Sequence, residues 1–294
     1  MTLQPIFEHE ASDAVRENYL KIKTALQLSQ LPLFFAYLGP FPNYLQYITN
    51  QLTTNLSNPQ FQSLTEDFSF QLKTLIKDSL SESEEINEWL HLYKNSPSFY
   101  YFQNDLRHIF LTNIKLAFIF ISLREALKGW AIAARKISSG KSSHKNAENK
   151  QSSPQKSEKA FIFGDFNANI GQIGSEPASI NAVPTIKPHI RGNQLTTREN
   201  LSPEKDFLPM YLNLCRKEFL SILKTQEFLV LRVGVEEMIL SSIHLIPEII
   251  FSPINITLKL TGNNPNYADL LYFLSEHFPT YSMQRMLFSG YMMK

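Results

Sequence analysis

Seven histidines, one cysteine and a scatter of carboxylates are the side chains of this sequence most able to catalyse a reaction or hold a metal. His9, His91, His108, His144, His189, His244 and His277 stand apart from one another. No two fall in the HExxH or HxH spacing that aims two imidazoles at one ion, so the sequence carries no zinc signature. The glycines form neither GxGxxG nor a P-loop, the turns that cradle phosphate, and no GxSxG elbow presents a serine nucleophile. No metal and no cofactor is expected. Cys215 is the single thiol, so no disulfide can form within the chain, which suits a reducing cytosol. Arg216 and Lys217 adjoin it in sequence but would point elsewhere on a helix, and the thiol reads as buried and inert.

These residues must be positioned by helices. In a chain of 294 residues, 22 Phe and 12 Tyr are ample for a large core. A net charge of +1 makes no global case for nucleic acid or a membrane surface, and neither is expected as a partner. The polar, acidic N-terminus has no apolar segment of the signal-peptide type, and a cytoplasmic location is expected. The run Leu116 to Ser122 is too short to cross a bilayer. The longer stretch Phe228 to Phe251 is interrupted by Arg232, Glu236, Glu237 and Glu248, and both read as buried helices.

Tyr19, Ile22 and Leu26 recur at helical spacing behind the candidate caps Ser12 and Asp13. Pro32, Pro42 and Pro59 open further segments, because the missing N–H of proline is harmless in a first turn. Phe61 to Leu80 reads as a helix, and Ser81 to Glu84 has capping-box spacing. Phe99 to Ile137, Phe207 to Leu223, Gln226 to Ile246, Ala268 to Phe278 and the Met-rich C-terminus complete the helical pattern. Asn255 to Leu260 is compatible with a short strand.

Between the two helical halves the composition changes. Residues 137–159 hold no aromatic side chain and are rich in Ser, Lys and Asn, so they cannot bury enough surface to offset their ordering entropy. They are predicted to be a disordered basic linker. Residues 160–206, punctuated by Gly and Pro, are an irregular connecting segment. The division is therefore 1–136, a first helical unit; 137–159; 160–206; and 207–294, a second helical unit. Setting residues 20–48 beside 215–243 aligns a helix leading into an apolar segment that ends in Gly39 or Gly234, a weak internal repeat.

Two stretches resemble known families. FIFGDFNANIG, residues 161–171, resembles the metal- and phosphate-binding motif of the endonuclease/exonuclease/phosphatase family, with Asp165 and Asn167 in the contacting positions. That family is built on strands, and a Gly/Asn turn is the preferred reading. A broader resemblance lies in Tyr19-Leu20-Lys21-Ile22-Lys23, Leu31-Pro32-Leu33-Phe34-Phe35, Leu38 and Phe41-Pro42-Asn43-Tyr44-Leu45, followed by Asn113-Ile114-Lys115-Leu116. Together these are similar to the signature of the group I α-haloacid dehalogenase family.

That resemblance implies an all-α fold of two related helical repeats forming a pseudo-dimer, joined by a long, partly disordered linker, with the site between the repeats. It implies a hydrolase in which a carboxylate activates water for direct attack on the α-carbon of a 2-haloacid. By position, Glu227 stands where the family has its catalytic aspartate, and Asn113 where an asparagine holds the water. Leu33, Phe34 and Tyr37 stand where apolar side chains wall the substrate. A small carboxylic acid is the implied ligand. The alternative is a non-catalytic helical scaffold or protein-interaction protein that has lost the site. Further partners left open are a second copy of the chain and a protein held through the linker.

Overall fold

The computed structural model describes residues 3–81, 83–129 and 207–293. The linker, the connecting segment and the motif containing Asp165 and Asn167 lie outside the described residues. The protein is all-α; the described residues contain no strand. In order, the helices are α1 (Asp13–Leu26), α2 (Leu33–Ala36), α3 (Pro42–Leu56), α4 (Pro59–Ser79), α5 (Glu84–Tyr93) and α6 (Pro97–Leu127). After the undescribed segment come α7 (Phe207–Ile222), α8 (Gln226–Ser242), α9 (Ile254–Thr261), α10 (Tyr267–Tyr272) and α11 (Phe278–Met292). A five-residue π-helical turn, Phe273–His277, joins α10 to α11.

Local chemistry explains most boundaries. The Asn58 side chain accepts from the Gln60 N–H at 2.8 Å, Pro59 occupies the first turn, and α4 begins there. Helix α5 starts later than the Ser81–Glu84 spacing implies. Ser83, not Ser81, is the cap, its hydroxyl accepting from Ile86 N–H at 3.3 Å. The strand compatible with Asn255 to Leu260 is a helix, α9. β-branched residues favour extended chain only where another strand can pair, and the described residues offer none. Here Pro253 precedes the first turn, and the Thr257 hydroxyl bonds back to the Pro253 carbonyl at 3.2 Å.

The core is organised around α6 and α11, which pack along each other at the centre. Helix α11 is buried on nearly every side, the pattern of a helix enclosed by others, and so is the stretch of α6 from Leu116 to Leu123, whereas the N-terminal part of α6 exposes Gln103, Asn104 and Arg107. Along α11, Phe278, Tyr281, Met286, Leu287 and Tyr291 are all buried. By length and composition, Phe99–Leu127 could cross a membrane, but most of that stretch is buried inside the protein. Around this pair the halves interleave. The first-half helix α3 packs on the second-half α9, α4 on α8 and α11, and α5 on α7. One continuous core cluster therefore spans both halves.

The internal register suggested by the sequence sets the one-turn α2 against part of the 17-residue α8. The helix starts at Pro42 and Gln226 each follow an earlier helix of their half. The connection before Pro42 is long and contains α2, whereas only residues 223–225 separate α7 from α8.

Candidate active site

Two of the five residues singled out from the sequence meet in one aromatic cluster. Phe34, 2% exposed, stacks obliquely on Phe120 of α6 with centroids 4.5 Å apart and meets Phe278 edge-on at 5.3 Å. Tyr37 stacks on Phe273 at 4.7 Å. Leu33 and Tyr37 are half-buried beside them. Pro32 and Pro40 bracket this turn of chain, so the short α2 delivers its aromatics to the α6–α11 seam without extending into a longer helix.

Asn113 reaches the same helix pair from below. It is 4% exposed, in the middle of α6 rather than at a helix start, and its Nδ2 donates to the Arg285 carbonyl at 3.5 Å. Arg285 in turn lies 5.8 Å over the ring of Tyr281, which packs on Phe34 at 5.4 Å. The asparagine and the aromatic wall are thus joined through α11.

Glu227 is placed differently. It sits in the first turn of α8, exposed to solvent. It is not the helix cap. Thr225 has that role, its hydroxyl accepting from the Phe228 N–H at 3.2 Å. Among the described residues the exposed carboxylate joins no ion pair, whereas Asn113 is buried.

A second polar feature on the seam was not singled out from the sequence. A cavity of about 90 Å³ lies among α6, α8, the π turn and α11. Its polar lining includes Arg124, Arg232, Glu236, Ser275, Glu276 and Thr280. Arg124 Nη1 donates to Glu236 Oε1 at 2.6 Å, and both side chains are largely buried. Arg124 also meets Glu125 at 3.1 Å, and Lys128 meets the same carboxylate at 3.0 Å. Burial opposes ionisation of Glu125, but Lys128 and Arg124 outweigh it and hold its carboxyl below the usual range. Such a cavity holds a few waters or a small acid. Arg232 could take a carboxylate by paired hydrogen bonds. The sequence signal was present: Arg232 and Glu236, four apart, break an otherwise apolar stretch and so share one helix face. Among the described residues no cluster of three or more His, Cys, Asp or Glu could hold a metal.

No family model and no curated protein sequence matches the chain. Solved structures do match, over almost the whole chain. The fold is that of D-2-haloacid dehalogenase. A complex of that enzyme with L-LA superposes with a TM-score of 0.63 at 11% identity, over 98% of this chain and 94% of the other. A mutant of D-2-haloacid dehalogenase, and a mutant in complex with D-2-CPA, superpose with TM-score 0.63 at 12% identity over the same shares. The agreement covers both halves together, which fits the interleaved packing of α3 on α9 and α4 on α8. At this identity the likeness to D-2-haloacid dehalogenase establishes the fold alone.

Proposed function

We propose that the chain is a small-molecule hydrolase acting on a 2-halocarboxylic acid or close analogue at the seam between its halves. The supporting observation is the near full-length fold likeness to D-2-haloacid dehalogenase. In the reaction a carboxylate takes a proton from water as the water oxygen bonds to the α-carbon. The carbon–halogen bond breaks and halide leaves with its electron pair. Asn113 orients the water, and Leu33, Phe34 and Tyr37 provide the apolar wall. Glu227 is the proposed base, supported by its matching position in the sequence and by a carboxylate that Thr225 leaves uncommitted.

The exposure of Glu227 favours a second reading, a helical protein that keeps the scaffold and binds without turnover. Halide release from D- and L-2-chloropropionate decides between them. Loss of about 10²-fold or more in Glu227→Gln, with Glu236→Gln active, assigns the base to Glu227. The reverse pattern moves it to the seam cavity. No release by the wild-type chain from either enantiomer overturns the hydrolase reading and leaves binding.

A further inference from the structure

Away from the seam, an open cleft of about 750 Å³ lies between α4, α5 and α6, closed at its base by Tyr211 of α7 and by Met292 and Met293 at the end of α11. Helices α4 and α5 each contribute a single stripe. On α4 these are Glu66, Ser69, Phe70 and Lys73; on α5, Asn87, Leu90 and His91, followed by Lys94 at its C-terminal cap. The spacing of three, four and seven residues puts each set on one helix face. On α6 the lining runs from Phe99 through Phe102 and Leu106 to Phe110, with Gln103, Asn104, Arg107 and Leu111 beside them.

Two properties of the cleft lie side by side. Its floor is apolar and buried, formed by Phe99, Phe102, Leu106, Phe110 and Tyr211. Its rim carries Lys73, Lys94 and Arg107, against Glu66 as the one carboxylate in the lining. Among the described residues, the ion pairs involve none of these three cations. At the lip, Phe70 stands 77% exposed. The volume is that of a site for a ligand of drug size. Methionines at the base can adjust to the shape of a tail.

We infer that this cleft binds an amphipathic organic anion, with its carboxylate or sulfonate head among Lys73, Lys94 and Arg107 and its apolar body over the Phe102–Phe110 floor. The ligand is larger than a 2-haloacid, and the site is independent of the proposed hydrolytic activity. A neutral amphiphile would leave the cations without a partner, and a cationic one would be repelled. An apolar peptide face would gain nothing from the rim.

The test uses the full chain with 1-anilinonaphthalene-8-sulfonate as fluorescent probe and dodecanoate as competitor. Saturable probe binding is expected, with dodecanoate competing about tenfold or more better than dodecanol and better still than dodecyltrimethylammonium. Arg107→Glu and Lys94→Glu exchange exposed rim residues, so the unfolding transition should hold while dodecanoate affinity falls about tenfold in each and further in the double variant. Added salt should weaken binding in the wild type more than in the double variant. Equal competition by the cationic amphiphile, or unchanged affinity in the folded double variant, overturns the assignment. Glu227→Gln should bind the probe as the wild type does, whatever the outcome of the halide assay.

Discussion

The side-chain amide of Asn55 closes a two-way pair with the backbone of Glu248, Nδ2 donating to the carbonyl at 2.8 Å and Oδ1 accepting from the N–H at 3.0 Å. One turn earlier on α3, Gln51 does the same for Phe251, accepting at 2.7 Å and donating at 3.2 Å. Two amides on one helix face thus satisfy the irregular chain between α8 and α9, tying the first half to the second. Asn55 is 1% exposed, so removing its amide strands buried polar groups. Asn55→Ala should lower stability by about 2–3 kcal/mol in urea unfolding. An unchanged midpoint would show that water replaces the amide without loss.

Arg124 holds Glu236 of α8 and Glu125 of its own helix at once. Arg124→Met should cost about 3 kcal/mol, because it leaves largely buried carboxylates short of a partner. Glu125 has its folded-state value depressed, so its contribution is present above the ordinary value of 4.5 and is lost as pH falls through the lower folded value. Glu125→Gln should flatten the acid limb of a stability–pH curve, and a parallel curve would reject the pairing.

His108 is held below its ordinary value of 6.5, chiefly by burial, with the Lys115 cation adding and a hydrogen bond to the Gln27 backbone opposing. The unfolded chain therefore takes up this proton first as pH falls. Stability at this site is full above about 6.5 and declines as pH drops below it toward the folded value. Thermal melts between neutral and mildly acid pH should show that slope, and His108→Gln should reduce it.

At Gly290, a Cβ would collide with Ile76 Cδ1 of α4 and come within 2.9 Å of Phe110 Cε2 of α6. The two central helices and α4 meet there with no room for a methyl group. Gly290→Ala should therefore destabilise by about 1–3 kcal/mol despite its better helix propensity. By contrast, Gly234 on α8 has open space around it, and Gly234→Ala should be neutral or stabilising. Equal effects at the two glycines would contradict the packing described.

Much of the helical plan was legible in the sequence because its signals are local. Prolines at Pro42 and Pro59 mark helix starts that the structure keeps, since a missing N–H acts on its own turn. Tyr19, Ile22 and Leu26 reveal one buried stripe of α1 through spacing alone. Where local signals competed, the sequence misled. Ser81 and Ser83 are both able to cap, and Asn255 to Leu260 carries β-branched residues that no partner strand claims.

For the candidate site the sequence offered only local patterns. Phe34 and Tyr37 were named from such a pattern, and both rings pack in the aromatic cluster of the seam, whereas Asn113 meets α11 further along, at Arg285. The pairing of Arg124 with Glu236, and the cleft ringed by Lys73, Lys94 and Arg107, join helices far apart in the chain. No spacing rule connects such residues. Residue types and periodicity determined that this chain would be helical and which faces would be buried. Only the crossing of α6 and α11, and the interleaving of the two halves around them, decided which polar side chains meet. Side-chain encounters across helices depend on packing geometry, and that geometry is a property of the whole core rather than of any segment.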